Sequence, residues 1–227
     1  MLFDIDGTLI DGHDYWVKLL LEAVEKVAGK DIDTNKIKVS GKTDIGIFRE
    51  ACNSIGYDFK KMESFIVDSY LKNFDDPRIS DKYQKLPNVD STLQYLRSRG
   101  VELGIVTGNR RKSGIRKLEL KGIDAFFNFE ISCFSEGSET REELLLTSLK
   151  RIKKMFKPSK VYYVGDTPND VITANKVGML SVAVATSKFI SIDALKNARP
   201  YLFLNSLDEV GRLFDDLFNE PDNQVVT

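Results

Sequence analysis

Histidine, cysteine and tryptophan are scarce in this chain: one, two and one among 227 residues. His13 is the single imidazole and has no partner near it in sequence, so it reads as a linker residue rather than a ligand or proton relay. Cys52 and Cys133 belong to no Cys-x-x-Cys or Cys/His cluster. That removes a zinc site and a disulfide framework, and leaves two small buried apolar residues in a reducing compartment. No apolar run approaches the ~20 residues of a membrane span. An acid at position 4 breaks any signal-like opening, so the expected location is cytoplasmic. Net charge is scarce too: 33 Lys and Arg stand against 34 Asp and Glu, leaving −1. Such balance provides no field for nucleic acid or for a membrane surface, and neither is expected as a partner. The clusters Arg110-Arg111-Lys112 and Lys150-Arg151-Ile152-Lys153-Lys154 read as solvated helix faces. No Gly-x-Gly-x-x-Gly follows any strand, which argues against a dinucleotide site. There is no internal repeat, and oligomeric state is not encoded in any recognisable pattern.

What the chain does have is a hydrophobic pattern that changes period in an informative order. Leu2-Phe3-Asp4-Ile5-Asp6 is a short apolar run ending in carboxylates before Gly7, a buried strand that delivers acids to a turn. From Asp14 to about Lys82 the period is helical. Tyr15-Trp16, Leu19-Leu20, Ala23-Val24 and Val27 recur at three and four, with Gly29 as a stop. Thr43 opens a second helix reaching about Ile55, and Phe59, Met62, Phe65-Ile66, Tyr70 and Phe74 mark a third. From Asn88 onward helices and strands alternate, with helix at 91–99, strand at 101–106, helix after Asn109 and strand at 127–133. Thr140-Arg141-Glu142-Glu143 is a capping-box signature for a helix ending near Phe156. Strand at 160–164, helix at 169–177 and strand at 180–185 follow. Helix, short strand and helix then occupy 194–198, 201–204 and 207–218, before a disordered tail from Glu220.

This order predicts an α/β fold, with a Rossmann-like parallel sheet core built from 1–13 and 83–227. The block at 14–82 is expected as an inserted all-helical cap domain. Open parallel sheets bind ligands beyond the carboxyl ends of their strands, at a switch point in strand order. The chemically capable residues fall at those ends: Asp4 and Asp6, Thr107-Gly108-Asn109, and Gly165-Asp166.

Asp4 and Asp6 lie two apart, so on an extended strand their side chains share a face and can converge. Like charges that close raise one pKa unless a cation intervenes. Mg²⁺ suits the position, since it favours a few carboxylates together with water and substrate phosphate. A pair of surface acids in a turn is the bland alternative on spacing alone.

The string Phe-Asp-Ile-Asp-Gly-Thr-Leu at 3–9 closely resembles the first motif of the haloacid dehalogenase-like phosphatases. The resemblance implies that Asp4 is the nucleophile, forming an aspartyl-phosphate. It also implies that Asp6 is the general acid/base, protonating the leaving group and then activating water. Val-Gly-Asp-Thr-Pro-Asn-Asp at 164–170 resembles a second family motif. By that likeness Asp166 ligates Mg²⁺ together with Asp4 and the Asp6 backbone carbonyl, and Asp170 holds a metal-bound water or orients the site. The bland alternative for Asp170 is a first-turn helix acid. Thr107-Gly108-Asn109 is, alone, an ordinary strand-to-helix turn. In the family a Ser or Thr here contacts the phosphoryl group, with the following residues beside the substrate. The family's remaining motif supplies a Lys, and none stands in 137–144. Arg141 is the substitute, with Lys150 as the rival. Ser40-Gly41-Lys42-Thr43-Asp44 resembles the cap loop of members such as phosphoglycolate phosphatases, where Lys42 would meet a substrate anion. Thr43 as a plain N-cap explains the same residues.

The expected function is therefore Mg²⁺-dependent hydrolysis of a small phosphate monoester, phosphoglycolate-like or a sugar phosphate. A sugar phosphomutase would use the same acids. A phospho-accepting receiver module shares clustered acids on a parallel sheet, but is about half as long and lacks the cap insertion.

Overall fold

The computed structural model describes residues 1–39, 41–136, 140–158 and 160–210. Five parallel strands form its central sheet: β1 (Leu2–Phe3), β4 (Gly104–Ile105), β5 (Tyr162–Gly165), β6 (Leu180–Val184) and β7 (Leu202–Leu204), in spatial order β4-β1-β5-β6-β7. β1 pairs with β4 on one side and β5 on the other, Leu2 facing Gly104 and Tyr163, Phe3 facing Ile105 and Val164. The period of two divides the core between the two faces of the sheet. Leu2 and Tyr163 pack with Leu144, Leu145 and Ala174, whereas Phe3, Ile105 and Val164 pack with Leu93, Leu96 and Leu118. Helices α4 (Val89–Ser98), α5 (Arg111–Leu120), α6 (Arg141–Met155), α7 (Pro168–Lys176) and α8 (Ile192–Asn197) cover these faces.

Between β1 and α4 lie α1 (His13–Ala28), α2 (Asp44–Ser54) and α3 (Phe59–Lys72), with 3₁₀ turns around them. His13 is the first residue of α1 rather than a linker residue. Gly29 ends α1 at φ 64°, its N–H donating to the Glu25 carbonyl, a left-handed cap that glycine takes without a Cβ penalty. Thr43 caps α2 by accepting from Gly46 N. A two-stranded antiparallel ribbon, β2 (Ile10–Asp11) with β3 (Gln84–Lys85), ties the entry and exit of this helical block together. All-helical cap and parallel sheet are thus both present.

The strand expected at 127–133 is corrected to a single bridge, Val106 with Cys133. Its backbone is not free to extend. Ser132 Oγ accepts Ile105 N at 2.8 Å in place of a ladder carbonyl, and donates to the Asn128 carbonyl at 2.7 Å, curling the segment back on itself. Of the helix expected at 207–218, only 207–210 lie among the described residues, with 208–210 helical, and the tail from Glu220 lies outside them. Cys52 and Cys133 are both free and buried. Among the described residues, no helix is long and apolar enough to cross a membrane.

Candidate active site

Because β1 lies between β4 and β5, three strand ends open side by side. Asp4 continues β1 for one more bond, its N–H donating to the Val164 carbonyl. The chain then turns sharply: the Ile5 carbonyl accepts the N–H groups of Thr8, Leu9 and Ile10. Gly7 makes this possible. Its φ is 78°, and a Cβ there would stand 2.2 Å from Asp166 Oδ2. The turn also separates the two acids that the spacing predicts on one face.

Asp4 is 4% exposed and faces α6. Its Oδ1 accepts Ile5 N at 2.8 Å, and its Oδ2 lies 3.1 Å from Arg141 Nη1. Arg141 is also buried, donating to Tyr163 Oη at 2.8 Å, with its Nε 3.5 Å from Asp170 Oδ1. Carboxylate oxygens of Asp4, Asp166 and Asp170 lie within 4.8 Å of one another. Burial pushes the Asp4 carboxyl up, and the Arg141 charge opposes that. Asp166 is pushed well above the usual carboxylate range by burial first, then by the charges of Asp170 and Asp4, against a hydrogen bond from Thr8 Oγ1 at 3.1 Å. Burial works against the Arg141 cation too, but its acidic surroundings outweigh it and the guanidinium stays charged.

One arginine does not balance three buried carboxylates. The donor set is all oxygen, compact and negative, which fits a hard divalent cation. Asp170 is committed elsewhere as well. Its Oδ2 accepts Thr167 N and Thr167 Oγ1 at 3.1 and 2.6 Å, completing the capping box of α7. It is both the helix-start acid and a wall of the cluster.

Asp6 points toward α5. Lys117 Nζ lies 2.8 Å from each of its oxygens, and Asn109 Nδ2 donates to Oδ2 at 2.6 Å. Its side chain is not among the clustered donors. Asn109 is held in turn by Lys117 and by Thr107 Oγ1, which accepts from both Asn109 Nδ2 and Asn109 N. As an acceptor of two bonds, the Thr107 hydroxyl keeps its own proton for a further partner.

The helical block closes over these residues. Gly108 O accepts Asp44 N at 2.8 Å, and a Cβ on Gly108 would stand 2.6 Å from the Lys42 carbonyl. Asn169 Nδ2 donates to Gly41 O at 2.8 Å. The cleft between cap and core, about 230 Å³, is lined by Asp4, Asp6, Thr107, Gly108, Asn109, Arg141 and Asp166 from the core, and by Trp16, Gly41 and Lys42 from the cap. Lys42 borders the cavity while paired with Glu50. Lys150 is exposed on α6.

Lys117 and Asp44 carry no assigned role in the sequence reading, and Trp16 is there only a cap core residue. Asp44 is buried, accepting Trp16 Nε1 at 3.1 Å and Arg110 N at 3.0 Å; burial pushes its carboxyl up to about 7. The available signal for Lys117 is its register: Ser113, Gly114, Lys117 and Leu118 form the buried face of α5, where a lysine is out of place.

Parallel sheet, helical cap and strand-end carboxylates define a hydrolase class. The profile of the haloacid dehalogenase-like hydrolases matches residues 1–184, and the chain belongs to that family. It is accordingly a hydrolase. A protein of Caldanaerobacter subterraneus subsp. tengcongensis, provisionally named pyrophosphatase PpaX, is 27% identical over 209 residues, covering 91% of this chain and 90% of its own. A phosphoglycolate phosphatase of Synechococcus elongatus is 33% identical over 101 residues, 44% of this chain and 46% of its own. The crystal structure of a predicted phosphatase from Clostridium acetobutylicum superposes with a TM-score of 0.74 at 23% identity, over 95% of this chain and 97% of that one.

Proposed function

We propose that this chain is a Mg²⁺-dependent phosphatase that hydrolyses a small phosphate monoester through an aspartyl-phosphate on Asp4. The carrying observation is the placement of Asp4: a buried carboxylate at a strand end, 3.1 Å from Arg141, on the wall of the cleft between cap and core. An Asp4 oxygen attacks phosphorus as the bond to the leaving oxygen breaks, and Asp6 gives that oxygen its proton. Water then attacks phosphorus, Asp6 takes the proton, and the Asp4–phosphorus bond breaks to release phosphate. Arg141 and the Thr107 hydroxyl present donors to the phosphoryl oxygens, with Gly108 and Asn109 shaping the turn around them. Asp4, Asp166 and the Asp6 backbone carbonyl would hold Mg²⁺, with Asp170 behind them; when bound, it supplies the positive charge that lets two anions approach.

The segment 14–82 acts in this reading as a cap unit over a core of 1–13 and 83–227. A cavity of about 230 Å³ suits a phosphoryl group with a short remainder, and Lys42 at its edge favours an anionic one. The names of two relatives, a pyrophosphatase and a phosphoglycolate phosphatase, agree with such a size. Two buried thiols fit the reducing cytoplasm. The test is a panel of small phosphate esters and pyrophosphate, assayed for phosphate release with Mg²⁺ and after exhaustive EDTA treatment. Release that stops in EDTA and returns with Mg²⁺ is expected. Full activity without metal contradicts the cation, and an isomerised phosphate ester without free phosphate identifies a mutase instead.

A further inference from the structure

We propose that Lys117 is a positioning residue for this reaction, fixing the Asp6 side chain where the leaving oxygen departs; this rests on the function proposed above. Lys117 is completely buried, and an ammonium taken out of water is costly unless fully paired. Its three N–H groups match three acceptors: Asp6 Oδ1 and Oδ2 at 2.8 Å each, and Asn109 Oδ1 at 2.7 Å. Asn109 Nδ2 closes the ring onto Asp6 Oδ2 at 2.6 Å. Both Asp6 oxygens are thereby tied to α5, apart from the cluster of Asp4, Asp166 and Asp170.

The hold is completed from above. Trp16 on α1 and Tyr83, just before β3, place their rings 5.3 and 5.2 Å from Lys117 Nζ and exclude water from it. A leucine or methionine at this position of α5 would fill the space beside Leu118 without any charge to bury. Buried ion pairs are weak sources of stability, and this one ends on the proton-transferring group. Its geometric purpose is the aim of Asp6.

The experiment is a double-mutant cycle on an aryl phosphate at saturating Mg²⁺, using wild type, Lys117→Met, Asp6→Asn and the double variant, with Asp4→Asn as control. Lys117→Met keeps the aliphatic stem, and should lower kcat roughly 10²-fold, at the low end of what general acid–base catalysis is worth. KM should stay within about threefold, because no ground-state contact is lost. On the Asp6→Asn background the same substitution should cost less than about twofold, since a residue acting through Asp6 has nothing left to aim. An undiminished loss in the double variant, or near-wild-type kcat in Lys117→Met, overturns the proposal. If Lys117→Met does not fold by circular dichroism, Lys117→Gln replaces it, and failure of both assigns Lys117 to stability and overturns the proposal. Activity retained in Asp4→Asn instead strikes the underlying reaction, and both readings fall.

Discussion

Arg141 lies in the segment where the family resemblance implies a lysine, and its surroundings suit the role proposed for it. Buried at 7% exposure, it reaches Asp4 with Nη1 while Nε faces Asp170, a span that a single ammonium does not cover. Arg141→Ala should lower kcat roughly 10²-fold or more, as loss of a preorganised electrostatic donor does. Arg141→Lys should recover part of that, restoring charge but not the fork. Mg²⁺ affinity should persist in both, and Lys150→Ala, altering an exposed side chain, should turn over normally. Steady-state kinetics on the three variants decide the matter, and near-wild-type kcat in Arg141→Ala removes the assignment. Residue by residue, the acids were legible because each sits in a local string at a strand end. The partner of Asp6 was not, because Lys117 lies 111 residues away and a lysine announces nothing until its helix face is known to be buried.

Helix α7 shows how one element serves both fold and site. Thr167 Oγ1 accepts Asp170 N while Asp170 Oδ2 accepts Thr167 N, so the cap that starts the helix also fixes an acid of the cluster. Thr167→Ala should cost about 1 kcal/mol of stability through the lost cap. It should also weaken Mg²⁺ binding, because Asp170 loses the Thr167 hydroxyl, the shorter of the two bonds that Thr167 gives its Oδ2, and keeps only the backbone one. Denaturant unfolding and calorimetric titration measure the two effects, and unchanged metal affinity would confine Asp170 to capping. Helices were readable from period and caps because both are local. The segment at 127–133 misled because its Phe-rich composition suits a strand, whereas a serine side chain takes the ladder's place.

At the scale of the whole molecule, Asp44 joins cap to core, with Trp16 Nε1 and Arg110 N donating to it and the charges of Lys117 and Asp6 nearby. Its carboxyl is raised from 3.8 to about 7, chiefly by burial. The folded protein therefore holds a proton there that the unfolded chain gives up. The stability this contributes is fully present below pH 3.8 and lost as pH rises through about 7. The wild-type Tm minus that of Asp44→Asn should accordingly fall across that window and level off above it, whereas a flat difference would place Asp44 in a wetter setting. The parallel sheet and cap were legible as an order of periods; their closure was not, since it depends on Asp44, Gly108 and Asn169 meeting across long stretches of chain. The central claim remains chemical, and mass spectrometry of acid-quenched turnover reaches it most directly. Turnover of Asp6→Asn with an aryl phosphate and Mg²⁺ should leave a phosphoryl group on the peptide containing Asp4, because attack proceeds while hydrolysis stalls. An unmodified Asp4 peptide under conditions that release the aryl alcohol would contradict it.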